Sequence, residues 1–222
     1  MTLHTDIPVG QIATEYPLAT RVFSRHNIDF CCGGGAPLRE ACESRGLDPE
    51  SILAEIQEVL EERESEGERW DEAPIPDLVQ HILVTYHAPL QTELPRLEEM
   101  ARKVVRVHGD KDPERLRALL ETFLGLRWEL EDHMTREEKM LFPTIVADGE
   151  TAVVPLDPFI DDHTATGEAL ERLRALTNDY RVPEEACNTW RALWHGLEAL
   201  EGSLHQHVHL ENNVLFKRVT AV

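Results

Sequence analysis

No apolar stretch in the chain approaches the ~20 residues that a membrane-spanning helix needs, which argues against a helical span. The opening Met1-Thr2-Leu3-His4-Thr5-Asp6 is polar and no signal-peptide core follows it, so the cytoplasm is the expected compartment. Basic residues are scarce: 22 Lys and Arg stand against 42 Asp and Glu, for a formal net charge of −20. A surface of that sign repels nucleic acid and anionic membrane, so neither is an expected partner. Cysteine is sparse too. Cys31, Cys32, Cys42 and Cys187 include one adjacent pair, which is not the pattern of a disulfide scaffold. Glycine is modest and β-branched runs are short, while Glu, Leu, Arg and Ala dominate. That balance favours an all-α protein.

What is present is a succession of amphipathic stretches. Residues 1–65 read as a small helical domain. Pro8 and Pro17 suit first helical turns, and Asn27 suits a helix stop. A loop follows, Asp29-Phe30-Cys31-Cys32-Gly33-Gly34-Gly35, and Pro37 opens a short helix. Asp48-Pro49 is a cap, after which Ile52, Leu53, Ile56, Val59 and Leu60 mark one apolar face. Residues 66–76, with Gly67, Pro74 and Pro76 after an acidic run, read as a linker. Residues 77–222 then hold four long helical segments, expected over about 77–107, 112–147, 157–180 and 183–219. Pro89 and Pro95 are expected to kink the first, and Pro143 to bend the second. Four amphipathic helices with short connections imply an antiparallel four-helix bundle.

One motif occurs twice. His133-x3-Glu137-x3-Leu141-Phe142 returns as His207-x3-Glu211-x3-Leu215-Phe216. Residues four apart share one helix face, about 6 Å apart along the axis, so each copy stacks an imidazole and a carboxylate. The other two helices each carry a histidine, His87 and His163. The span from His87 to His133 nearly equals that from His163 to His207. Two similar hairpins related by a pseudo-twofold axis would bring His87, His133, Glu137, His163, His207 and Glu211 to one level. Six donors suit two ions better than one tetrahedral zinc. With both glutamates bridging, each ion has two imidazoles and two carboxylate oxygens. An oxo or hydroxo bridge then leaves one open position on each six-coordinate ion. Such a donor set suits iron or manganese, and a pair of non-haem irons is the expected cofactor.

The remaining histidines fit that site poorly. His205 and His209 flank His207 on other faces, His81 lies well round the helix from His87, and His195 has no matching partner; solvated or hydrogen-bonded roles are expected. His108 ends the first bundle helix, where a cation meets the dipole favourably. Asp161 and Asp162 are candidates to orient His163, lie beside the site or cap the helix.

The chain resembles the di-iron proteins that repair iron–sulfur clusters, which join a hemerythrin-like bundle to a small N-terminal domain. The resemblance covers nearly the whole chain. It rests on Asp29-Phe30-Cys31-Cys32-Gly33-Gly34, on Tyr86-His87 with Glu93-Leu94-Pro95, on His133-x3-Glu137 with Leu141-Phe142-Pro143, on His163, and on His207-x3-Glu211-Asn212-Asn213-Val214-Leu215-Phe216. It implies terminal iron ligation by His87, His133, His163 and His207 and bridging by Glu137 and Glu211. It also implies restoration of clusters damaged by nitric oxide or peroxide, by supply of iron to damaged or apo iron–sulfur proteins. One departure is visible: Ala88-Pro89-Leu90-Gln91 follows the Tyr-His pair, where the family often has further charged and histidine residues. That leaves the ligands intact and bears on access to the site.

Cys31 and Cys32 lie beside three glycines, just before a helix start. Exposed amides there would favour a thiolate; the alternative is a buried pair in a tight turn. The resemblance favours a functional thiol pair, whereas Cys42 and Cys187 are expected in the core. Two other functions share the same site. One is reduction of nitric oxide or oxygen at the open positions; the other is binding or sensing of a diatomic gas. Against gas carriage, oxygen-binding hemerythrins use five histidines and only four are placed here. Against a ferritin-like oxidase, that class uses Glu-x-x-His. A homodimer is left open as an assembly.

Overall fold

The computed structural model describes residues 3–61 and 69–221. Four short helices come first: α1 Val9–Glu15, α2 Ala19–Arg25, α3 Leu38–Glu43 and α4 Pro49–Glu61. Asn27 ends α2 with φ 53°, as an asparagine helix stop should. Asp48 accepts from the Ser51 amide at 3.3 Å and so caps α4. Pro8 and Pro37 sit one place earlier than a first-turn proline, at the residues preceding α1 and α3. Val9, Ile12, Val22, Phe23, Phe30, Leu38 and Ile56 close a core of their own. The first part of the expected linker, 66–68, lies outside the described residues. In the rest, Arg69 and Asp71 pair at 2.7 Å.

The bundle begins at Ile75, two residues before its expected start. Its first rod is α5 Ile75–Ile82, a π turn Leu83–His87, and α6 Ala88–His108. The second is α7 Pro113–Arg136, a π turn Glu137–Leu141, and α8 Phe142–Asp148. Asp112 caps α7, accepting from the Arg115 amide at 3.2 Å. The third rod is α9 Asp157–Leu176 and the fourth α10 Asn188–His209, which runs into a π turn Leu210–Leu215 and a 3-10 turn Phe216–Arg218. Each rod packs on two others, α6 on α7 and α10, and α9 on α7 and α10. The only strands among the described residues are the two-residue segments β1 Val153–Val154 and β2 Thr220–Ala221, paired in parallel.

Three departures from the expected helices have physical causes. Pro89 and Pro143 do not simply kink their rods. Each follows a π turn, whose extra residue absorbs the hydrogen bond that a proline nitrogen cannot make. The third helix stops at Leu176 rather than near Tyr180, because Asn178, Asp179 and Tyr180 take φ of 54°, 62° and 55°. Left-handed backbone at a tyrosine is costly. It is held by the Tyr180 hydroxyl donating to buried Glu201 at 2.5 Å and by Arg174 paired to Asp179. The fourth helix starts at Asn188, not directly after Pro183, and Cys187 is an exposed residue at its N-terminus rather than a core residue. Its thiol lies 3.2 Å from His108 Nε2, where α6 ends. Cys42 is fully buried, as expected.

Candidate metal centre

Two hydrophobic layers, one around Leu126, Leu197 and Trp194 and one around Phe142, Ile82 and Leu215, sandwich a polar level in the bundle. His87 closes the first π turn, His133 lies in the last turn of α7, and Glu137 opens the second π turn. His163 lies in α9, His207 near the end of α10, and Glu211 in the third π turn. All six are at most 3% exposed. The His-x3-Glu spacing does what helix geometry demands: His133 Nε2 is 3.3 Å from Glu137 Oε1, and His207 Nε2 is 2.9 Å from Glu211 Oε1.

The imidazoles meet in two pairs. His87 Nε2 and His207 Nε2 are 3.1 Å apart, and His133 Nε2 and His163 Nε2 are 3.0 Å apart. Each carboxylate divides its oxygens between the pairs. Glu137 Oε2 lies 3.4 Å from His87 while Oε1 faces His133; Glu211 Oε1 faces His207 while Oε2 lies 3.1 Å from His163. Two four-residue donor groups result, His87, Glu137, His207, Glu211 and His133, Glu137, His163, Glu211, each with its donor atoms within 4.8 Å of one another.

Three of the four outward nitrogens are held. His87 Nδ1 contacts Glu138 at 2.9 Å, His133 Nδ1 contacts Asp162 at 3.0 Å, and His163 Nδ1 contacts Asn212 at 2.8 Å. Such contacts fix the tautomer that turns Nε2 inward. Asp162 is itself gripped by Arg136. It therefore orients His133, not His163, and neither Asp161 nor Asp162 caps α9, whose N-terminus has no side-chain cap. Aromatic rings flank each imidazole: Phe142 at His87, Phe159 at His133, Phe216 stacked on His163 and Tyr86 stacked on His207.

This donor set fits a cation. Both oxygens of Glu137, Oε2 of Glu211 and Nδ1 of His207 are buried without a hydrogen-bond partner. A buried anionic oxygen left so costs a few kcal/mol, of order 1–3 or more, unless a positive charge is supplied. The protein's own protons show the same demand. Burial pushes the His133 imidazole down, but Glu137, Glu211 and Asp162 outweigh it and lift it to about 9. His87 is raised by Glu211, Glu137 and Glu138 against its burial. Burial pushes the Glu211 carboxyl up, yet His207, His163 and His87 hold it well below the usual carboxylate range.

Cys31 and Cys32 stand outside the two donor groups. The Cys32 thiol donates to the His163 carbonyl at 3.2 Å, and the two sulfurs are 3.7 Å apart. The loop amides expected to favour a thiolate serve Asp29 instead: those of Cys31, Cys32 and Gly33 donate to its carboxylate at 2.9, 3.0 and 2.7 Å. Hydrogen bonding to Cys32 and burial push the Cys31 thiol well up, so it is kept protonated. Both cysteines line a cavity of about 670 Å³ between the N-terminal helices and the bundle, together with Arg25, Arg45, Glu168 and His205. None of His81, His205 and His209 joins a donor group. His209 donates from Nδ1 to the Phe30 carbonyl at 3.2 Å, and His81 stacks on Trp70.

Comparison with known proteins gives this geometry a family. Residues 78–219 match the model of the hemerythrin HHE cation binding domain, and residues 5–60 match ScdA_N, a domain of unknown function. The iron-sulfur cluster repair proteins YtfE of Shigella boydii serotype 4 and Escherichia coli O157:H7 are each 38% identical to the chain over 219 residues, covering 98% of both sequences. That of Citrobacter koseri is 38% identical over 217 residues, covering 97% of each. The chain belongs to the iron–sulfur cluster repair family. Along this chain a bundle that matches a cation binding domain follows a small helical unit. Sequence reasoning found its six inward donors but missed Glu138 and Asn212. Their signal was adjacency: Glu138 follows Glu137, and Asn212 follows Glu211. Among the described residues no helix is long and apolar enough to cross a membrane.

Proposed function

We propose that this chain restores damaged iron–sulfur clusters, the role stated in its relatives' names, and that it does so with two irons held by His87, His133, Glu137, His163, His207 and Glu211. The observation that carries this reading is the division of each glutamate between two imidazole pairs, because a carboxylate that serves two sites is a bridge. His87 and His207 would hold one ion, His133 and His163 the other. The mixed imidazole and carboxylate set suits ferrous and ferric iron, and the pair supplies one-electron redox chemistry and a stock of releasable metal.

The chain's own residues account for retention and release. Glu138, Asp162 and Asn212 keep three of the imidazoles aimed inward, so each ion is met by a formed site. Protonation of the imidazoles competes with metal, and the raised His87 and His133 make that competition effective near neutral pH. Cys31 and Cys32 offer two soft donors on the far side of the His163 backbone, facing the large cavity. We assign them to the hand-over of iron to an apo or damaged iron–sulfur protein, with nitric oxide or oxygen as small ligands of the loaded centre. In this reading residues 1–65 and 77–222 are two units joined by 66–76.

Metal analysis and transfer test the proposal together. The isolated protein is expected to hold two irons per chain and to deliver iron to an apo cluster acceptor. Sustained production of nitrous oxide from nitric oxide by the reduced protein, with no iron delivered, would replace repair by reductase activity. Cys31→Ser should leave bundle iron unchanged and impair delivery; loss of bundle iron in that variant would refute this division of roles.

A further inference from the structure

Four rings run in contact from the surface to one of the inward imidazoles. The half-buried Trp70 indole stacks on His81, with centroids 4.1 Å and planes 22° apart. His81 meets Tyr86 edge to face at 5.7 Å. Tyr86 lies flat on His207, 5.3 Å away and 7° from parallel. Three separate stretches of backbone supply these rings, and exposure falls from part-exposed Trp70, His81 and Tyr86 to His207 at 1%. Ring packing alone explains contacts of this kind. It does not explain why tryptophan and tyrosine, the two side chains whose rings most readily lose an electron, occupy the outer and inner ends beside a metal site.

We propose that Trp70, His81 and Tyr86 form a one-electron relay that carries oxidising equivalents away from the metal centre. This rests on the di-iron reading above. The oxidant is hydrogen peroxide, which with two electrons and two solvent protons becomes two waters; the loaded centre would supply one electron and Tyr86 the other. As Tyr86 gives up that second electron, its phenolic proton passes to water in the adjoining cavity of about 130 Å³, which Trp70, Asp71, Tyr86 and Gln206 line. The phenoxyl radical then takes an electron from Trp70 across the closed-shell His81 ring and recovers a proton from that water. The indole releases its N–H proton to solvent. A small-molecule thiol finally returns one electron and one proton to the indolyl radical and leaves as a thiyl radical. The buried centre is thereby spared at the expense of a diffusible reductant.

The relay is tested first in the metal-free full-length chain by pulse radiolysis with azide radical, which oxidises tryptophan. Trp128, 70% exposed, would compete, so the parent carries Trp128→Phe. The indolyl absorption should fall to a plateau as the phenoxyl absorption grows, at a rate independent of protein concentration, because outward transfer needs reversible exchange between the two rings; complete conversion to phenoxyl overturns the outward direction. Tyr86→Phe keeps the stacked ring and should abolish the phenoxyl growth, while Trp70→Phe should remove the indolyl phase that feeds it. Unchanged phenoxyl growth in Tyr86→Phe, or none in the parent, overturns the proposal. In the reduced, iron-loaded protein the phenoxyl signal should decay faster than in the metal-free one; equal decay overturns the connection to the centre. Iron content measured on the same sample shows a failure of the di-iron reading separately from a failure of the relay.

Discussion

Glu137 is the residue most open to test, because each of its two oxygens faces a different imidazole pair. Glu137→Leu should release at least one iron, read by metal analysis; retention of two tightly held irons would refute bridging. In the metal-free protein the same change should destabilise the fold by ~3–5 kcal/mol, since it removes the carboxylate that His87 and His133 face and leaves those buried imidazoles without their counter-charge. Urea melts of the two metal-free proteins measure that. The inward donors were legible in the sequence because His-x3-Glu is a statement about a single helix. Their outward partners were not. Asp162 reads as a neighbour of His163 along the chain, yet it reaches across to His133 on α7, and Asn212 reaches from the fourth rod to His163. Contacts between rods have no fixed spacing, so no periodicity announces them.

At the level of elements, the apolar stripes located the four rods within a few residues, and the Asp48-Pro49 cap was found where local chemistry alone fixes it; Asp112 caps α7 by the same chemistry. Asp112→Ala should lower stability by ~1 kcal/mol through loss of the contact to the Arg115 amide, with iron content unchanged. Thermal melts and metal analysis read the two arms; loss of iron would mean that α7 is too weakly tied to hold its ligands. The π turns were not legible. Each inserts a residue into a pattern that a regular 3.6-residue period describes well on either side, and each lies at one of the six inward-facing donors: His87, Glu137, Glu211. Pro89 and Pro143 pointed to the right places, but a proline signals a lost hydrogen bond without saying whether the rod kinks or widens. The third π turn has no proline at all, and its Asn212 and Asn213 face opposite tasks, one towards His163 and one towards the N-terminal loop.

The whole molecule is held together at that loop, across a span of chain that no local signal bridges. Asn213 donates to the Phe30 and Cys31 carbonyls, and His209 donates to Phe30. Gly10 and Gly34 allow the approach: a Cβ on Gly10 would fall 2.6 Å from Asn213 Oδ1 and 2.9 Å from the Gly34 carbonyl. Gly10→Ala should therefore cost ~1–3 kcal/mol and raise the reactivity of buried Cys31 towards a thiol reagent. The same seam should make the protein acid-sensitive. Burial depresses His209 to about 4, with the Phe30 carbonyl opposing and Lys217 assisting, against about 6.5 for a free histidine. Between those values the unfolded chain binds a proton that the folded chain refuses, so stability falls as pH drops from about 6.5 to about 4. The loss approaches ~3 kcal/mol at the lower end. His133, lifted to about 9 in the metal-free protein, acts in the other window: its contribution is present below about 6.5 and is lost as pH rises through 9. His209→Gln should flatten the acid limb and leave the alkaline limb as it was. Urea midpoints of the metal-free protein at pH 4.5, 7 and 9, with and without the substitution, decide it; an acid limb that survives in His209→Gln would place the sensitivity elsewhere than the seam.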